Sequence, residues 1–367
     1  MRKIAYVGVD YHVETLSIAV VIEGEKEFHE TIHLKNDDTV IRKYLQKLSA
    51  TYKLKVCYEA SGSGYVFQRK LKAWGYHCDV IAPSLIPKKA GEHRKNDFRD
   101  ARTLAQHYAA GLLTIVHPPT QEEESVRQVV RCRIALKQNV KQIKQQINGF
   151  LLSQGQYWGK KKWTGKHRCW LSKLQLANNH VQQVLDTHMQ HLEYLETCIG
   201  RIDEAIETIA QSDIYQASVK KLRAFRGIGT LGAMLLIAEI TDFRRFASPG
   251  ALMAFLGLVP SEHSSGDKRR PGAITKAGNR RCRTQLIESV QHYAKKPNLS
   301  SGMKSNLKQV DAGSAAIAVK CLNRLNKRFW ALLNKGKSRQ VAITAIAREF
   351  VGFIWAMMVP AAATVNV

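Results

Sequence analysis

The chain has 367 residues, enough for two or three domains with a sizeable core. It carries 56 Lys+Arg against 30 Asp+Glu, a formal charge of +26, so a polyanion is the expected partner. Seven cysteines (Cys57, Cys78, Cys132, Cys169, Cys198, Cys282, Cys321) lack CxxC spacing, which argues against a zinc site and a disulfide framework and fits reduced cytosolic thiols. No signal peptide is expected, and Phe350 to Val367 falls short of the roughly 20 residues a span needs, so no membrane association is expected either. The basic excess is uneven. From Ser261 to Arg339 the only acids are Glu262, Asp267, Glu288 and Asp311. A solvated basic face is the plain reading, but over so long a stretch contact with nucleic-acid phosphates is favoured, because each contact gains from counterion release.

Residues 1–115 read as α/β. Strand-like runs at Ile4–Val9, Thr15–Ile22 and Glu27–Leu34 come first. A helix starts near Asn36, Asp37 and Asp38 and runs to Leu48. A strand at Lys55–Tyr58, a helix from Tyr65 to Trp74 and a strand at Cys78–Ile81 follow, and a last helix runs from Asp97 to Gly111. Three consecutive strands followed by alternating helix and strand is the order of the ribonuclease-H-like fold, in which the acid of the central first strand faces that of the fourth.

Asp10 and Glu59 each close an apolar strand, and Asp97 and Asp100 share one face at the start of a helix. Singly, each has an ordinary role: a turn residue, a lysine partner, acids favoured by the helix dipole. Their joint placement points to a metal-binding carboxylate cluster. With no softer His or Cys set in the pattern, the expected ion is Mg²⁺ or Mn²⁺, facing a phosphodiester.

His117-Pro118-Pro119 marks a boundary, and residues 120–212 form the expected second domain, a coiled-coil arm. Val126, Val129, Arg133, Leu136, Val140, Ile143, Ile147 and Phe150 alternate spacings of three and four, as do Leu185, His188, Leu192, Leu195, Ile199, Ile202, Ile206 and Ile209. Pairing within or between chains stays open. Between the two runs, Tyr157, Trp158 and Trp163 interleave with Lys160, Lys161 and Lys162. These side chains could stack on bases and hold phosphates, or the tryptophans could pack on the arm.

The third expected domain, residues 215–360, is mainly helical. Gly227-Ile228-Gly229 between two helices suits a helix-hairpin-helix, whose glycines let backbone N–H groups reach a DNA phosphate, and it equally suits a tight turn between core helices. Further on, Ser265 precedes Gly266 amid Lys268, Arg269, Arg270 and Lys276. A serine in that positive field could attack phosphorus, although Ser-Gly in a loop is common.

Gly8-Val9-Asp10, Tyr58-Glu59-Ala60-Ser61-Gly62, Lys95-Asn96-Asp97 with Asp100-Ala101-Arg102, Gly227-Ile228-Gly229, Gly257-Leu258-Val259-Pro260, Ser265-Gly266 and Ile274-Thr275-Lys276-Ala277-Gly278-Asn279 follow one another in order. Together they resemble the bridge-RNA-guided insertion-sequence transposases, which join an N-terminal RuvC-like DEDD domain to a C-terminal serine transposase domain. The resemblance implies that the four acids are Asp10, Glu59, Asp97 and Asp100 and that the nucleophile is Ser265, with Ser264 the adjacent alternative. It implies a Mg²⁺-dependent, phosphoserine-forming recombinase with donor and target DNA and an element-encoded guide RNA as partners. It further implies a homo-oligomer, dimers assembling into a tetramer, in the prokaryotic cytosol. The chain departs from compact members in a longer Gln154–Asn179 stretch. Two rivals remain: a Holliday-junction or structure-specific endonuclease using the acids alone, and a non-catalytic nucleic-acid-binding protein.

Overall fold

A computed structural model describes residues 2–60, 62, 64–87, 96–262 and 271–359. The described chain divides at Pro119/Thr120 into two compact units.

The first unit is built on a six-stranded sheet. Its elements are β1 (Ile4–Tyr11), β2 (Thr15–Ile22), β3 (Phe28–Lys35), α1 (Asp38–Thr51), β4 (Lys53–Glu59), α2 (Val66–Ala73), β5 (His77–Ile81), α3 (Asp97–Ala109) and β6 (Ile115–Val116). The strand order is β3-β2-β1-β4-β5-β6. β1 pairs antiparallel with β2 and parallel with β4, so the first strand is central. The near-continuous apolar run of β2 and the buried Leu54, Val56, Cys57 and Tyr58 of β4 suit strands covered on both faces. Asp37 caps α1, its side chain accepting from the Thr39 and Val40 amides, and Ile41, Leu45 and Leu48 face the sheet. The short β6, antiparallel to β5, was not expected: two residues give too little periodicity to read. This mixed sheet fits a ribonuclease-H-like domain.

The second unit is helical. It contains α4 (Gln121–Ser153), α5 (Gly165–Lys173), α6 (Asn179–Gln211), α7 (Gln216–Arg223), α8 (Thr230–Ile240), α9 (Pro249–Phe255), β7 (Pro260–Glu262), β8 (Pro271–Ile274), α10 (Arg280–Val290), α11 (Ser301–Leu307), α12 (Ala312–Asn334) and α13 (Arg339–Met358). A capping box, Thr120 with Glu123, starts α4. α4 and α6 pack on each other within the chain. At one end Val140, Ile143 and Ile147 meet Leu185, Leu192 and Leu195, and at the other Val126 and Val130 join Ile206 in the main core. The two residues that break the apolar pattern are both accommodated. Arg133 pairs with Asp203 of α6, and the His188 ring lies 6.0 Å from Phe150.

Length and composition alone would let α13 cross a membrane, but Ile343, Ile346, Phe350, Val351 and Ile354 are buried in the core of this unit.

Candidate metal centre and C-terminal hairpin

The carboxylate site is assembled by a close helix–strand approach. A Cβ on Gly8 would stand 2.4 Å from both the Ala101 carbonyl oxygen and the Ala105 amide nitrogen. Only glycine lets α3 lie this close to β1, and Ala101 and Ala105 complete the contact with minimal side chains. The approach carries the first turn of α3, with Asp97 and Asp100, to the end of β1 where Asp10 sits. Asn96 caps that helix by accepting from the Phe98 amide.

β1 runs past Asp10 to Tyr11, so Asp10 is a half-buried strand residue rather than a terminal one. His12 Nε2 lies 3.2 Å from Asp10 Oδ2 and 3.8 Å from Asp97 Oδ2. Ligand atoms of Asp10, His12 and Asp97 all fall within 4.8 Å of one another. Glu59 ends β4 one residue beyond the Val9–Tyr58 register pair, on the strand beside Asp10. Neither Glu59 nor Asp100 joins the tight set among the described residues. Burial pushes the Asp10 carboxyl above the ordinary carboxylate range; His12 opposes this by charge and hydrogen bond, while Asp97 and Asp100 add to it. Carboxylates that raise one another's proton affinity, open to solvent on one side, are a donor set that a hard divalent cation relieves. The residues present fit such an ion.

His12 was missed in the sequence. The signal was there: two residues beyond Asp10 in extended chain, its side chain returns to the same face.

In the second unit, Gly257-Leu258-Val259-Pro260 and Ile274-Thr275-Lys276-Ala277-Gly278-Asn279 are the two arms of one hairpin. Pro260 pairs with Ile274, the Thr275 amide donates to the Val259 carbonyl, and the Lys276 amide donates to the Gly257 carbonyl. Gly278 has φ +143°, and a Cβ there would stand 2.1 Å from the Phe255 carbonyl oxygen. Lys276 takes φ +56° and is exposed. Ser265 and its neighbour Ser264, with Lys268, Arg269 and Arg270, fall between these arms and lie outside the described residues, as does Lys95.

The hairpin's return arm is tied to the core by a buried polar network. Asn279 caps α10, accepting from the Cys282 amide, and donates through Nδ2 to Glu239 Oε2 at 2.7 Å. Arg131 of α4 donates to the same carboxylate from Nε at 2.7 Å and Nη2 at 2.9 Å. Burial alone would raise the Glu239 carboxyl, but Arg131 and Asn279 outweigh it and hold it below the ordinary range.

Gly227 and Gly229 lie between α7 and α8. The Cβ position of Gly227 is filled by the Ser289 carbonyl oxygen at 2.3 Å, whereas Gly229 has open space and caps α8 without a side-chain hydrogen bond. At the far end of the arm, Trp158, Trp163 and Trp170 surround His167, with ring centroids 5.2 to 5.6 Å away. His167 Nδ1 accepts from the Trp163 amide at 3.0 Å, and burial, then Lys162 and Arg168, push its pKa down. Internal packing therefore accounts for these tryptophans, while Tyr157, Lys160, Lys161 and Lys162 face solvent.

Two family profiles match. One, described as a transposase of the IS110 DEDD type, covers residues 7–154, and the other, the transposase IS116/IS110/IS902 family, covers residues 219–303. The putative transposase y4qE of Sinorhizobium fredii is 35% identical over 360 residues, 96% of this chain and 88% of that protein. The transposase for insertion sequence element IS1533 of Leptospira borgpetersenii is 33% identical over 66% of this chain and 72% of its own length. That for IS1111A of Coxiella burnetii is 26% identical over 91% of each. A ribonuclease-H-like sheet with clustered acids, joined to a helical transposase unit, defines an insertion-sequence transposase that cleaves and recombines DNA and uses a divalent metal ion. The chain belongs to the IS110/IS116/IS902 transposase family.

Proposed function

We propose that this transposase is an RNA-guided, site-specific recombinase that cuts DNA through a covalent phosphoserine. The observation that carries the reading is the packing of α3 on Gly8, which sets Asp97 against Asp10 beside the strand that ends in Glu59. Asp10, Glu59, Asp97 and Asp100 would hold Mg²⁺, or Mn²⁺, and the ion when bound supplies charge stabilisation at the phosphate oxygens. His12 holds the Asp10 carboxylate in place. Ser265 is the nucleophile. Its Oγ gives up a proton and bonds to phosphorus, the bond to a deoxyribose oxygen breaks, and that oxygen takes up a proton. A second strand's hydroxyl reverses the step and rejoins the DNA, with Ser265 restored. Lys268, Arg269, Arg270 and Lys276 offset the charge that builds on the phosphate.

Recognition is divided between partners. A structured guide RNA pairs with donor and target DNA, while the protein holds RNA shape and phosphate backbone, which suits a diffuse basic surface. Lys160, Lys161 and Lys162 at the end of the arm, and the amides at Gly227 and Gly229, serve as backbone contacts. Dimers assembling into a tetramer would bring acids and serines of different subunits together.

The test is denaturing gel analysis of the protein with Mg²⁺, the element's RNA and a labelled donor-end duplex, beside Ser265→Ala and Asp10→Asn. A protein–DNA adduct lost in both variants is expected. Cleavage without an adduct, surviving Ser265→Ala, would replace the recombinase with an endonuclease using the acids alone.

A further inference from the structure

α4, α8 and α10 enclose a groove of about 860 Å³ within the second unit. Its floor includes Leu231 and Leu235, at helical spacing on α8. Five cations line it against one acid, Glu288. Two of the five are committed: Arg131 to Glu239 and Arg133 to Asp203. Lys137, Arg280 and Arg281 are exposed and have no hydrogen-bond or ion-pair partner among the described residues.

The position of Arg280 and Arg281 is a second, independent sign. They open α10, with Arg283 in the same turn and no acid there. The positive end of a helix dipole disfavours cations and favours Asp or Glu, so this arrangement works against folding. Sequences break such local rules where function demands it. Nearby, the start of α8 at Gly229 has no side-chain cap, and Leu231 of that first turn lines the groove. Helix-start amides that no side chain caps among the described residues suit a phosphate oxygen. Arg280 directly follows Asn279, the residue that ties the hairpin's return arm to Arg131 through Glu239.

We infer that this groove is a binding track for the sugar–phosphate backbone of the DNA being cut, held by Lys137, Arg280 and Arg281. The inference rests on the cleaving role proposed for the hairpin, which favours DNA over RNA as the occupant. A backbone track reads no sequence; it fixes where the strand runs relative to the hairpin.

The test uses the full chain and a fluorescein-labelled duplex spanning the element's end, with anisotropy titrations at several salt concentrations. Lys137→Ala/Arg280→Ala/Arg281→Ala should weaken binding tenfold or more at about 0.1 M salt and lower the slope of log K against log salt by about 2 to 3. A control, Lys320→Ala/Lys327→Ala/Arg328→Ala on the exposed face of α12, should stay within about twofold of wild type. Thr284→Glu, which places one negative charge in the groove with little change to the fold, should weaken binding in the same direction. An unchanged slope, an equal loss in the control, or a loss confined to the guide RNA would overturn the groove. A wild-type chain that failed to bind the duplex would sink both the groove and the recombinase reading, whereas loss of the adduct with binding intact would sink only the latter.

Discussion

Gly8 and Glu239 show how single residues set the two halves of the machinery. Gly8→Ala forces a methyl group against backbone atoms of α3, which cannot swing aside as a side chain would. The expected cost is about 3 kcal/mol, at the upper end for overpacking, together with loss of metal-dependent cleavage. Urea denaturation beside a cleavage assay checks both, and a wild-type cleavage rate would refute the positioning role. Glu239 is 5% exposed and meets the guanidinium of Arg131. Glu239→Gln should cost about 3 kcal/mol, near the low end for a broken buried pair because Arg131 keeps some solvent. The pH dependence has a definite sign. The folded carboxyl titrates below its ordinary value of 4.5, so its contribution is present above that pH and fades as pH falls through the folded value. Wild type should therefore lose stability on acidification more steeply than Glu239→Gln, as measured by urea midpoints across that range.

At the scale of elements, α4 and α6 stabilise each other through a narrow apolar seam. Ile147 is fully buried in it. Ile147→Ala should cost about 3 kcal/mol through lost burial and the cavity left behind. Hydrogen exchange should localise the loss to α4 and α6, sparing the strands of the first unit; uniform acceleration across the chain would contradict a self-contained seam. The seam was legible in the sequence from its spacing of three and four, because that period follows from helix geometry alone. The partner was not legible, since an apolar stripe fits a helix of the same chain or of another equally well. Arg133 likewise breaks the apolar pattern, and its partner Asp203 lies on the other helix, 70 positions away along the chain.

For the whole molecule, the first unit holds the clustered acids and the second holds the hairpin of β7 and β8. Burial and mutual repulsion make the ionised Asp10 a cost to the first unit, and a bound cation offsets that cost. Millimolar Mn²⁺ or Mg²⁺ should raise the melting temperature of the first unit by a few degrees, roughly 1 kcal/mol of linkage, and leave the second unit unchanged. Asp10→Asn should abolish the shift while leaving the metal-free unit at least as stable as wild type. Differential scanning calorimetry of the full chain reads both, and an equal shift in Asp10→Asn would place the ion elsewhere.

The sequence by itself determined the order of β1 to β5 and α1 to α3, the acids late in β1 and β4 and in the first turn of α3, the long apolar-striped helices and the polyanionic partner. Each of these rests on local periodicity, capping or charge, which a linear chain displays openly. Only the tertiary structure decided that Gly8 admits α3, that His12 joins Asp10 and Asp97, that α4 pairs with α6 of its own chain, and that Glu239 ties α4 to the hairpin. Apart from His12 with Asp10, two residues away, these are contacts between residues from about 40 to more than a hundred positions apart along the chain, which no local pattern encodes. Glu239 lies in a helix that reads as uniformly apolar, and the guanidinium and amide that make its burial tolerable come from α4 and the start of α10.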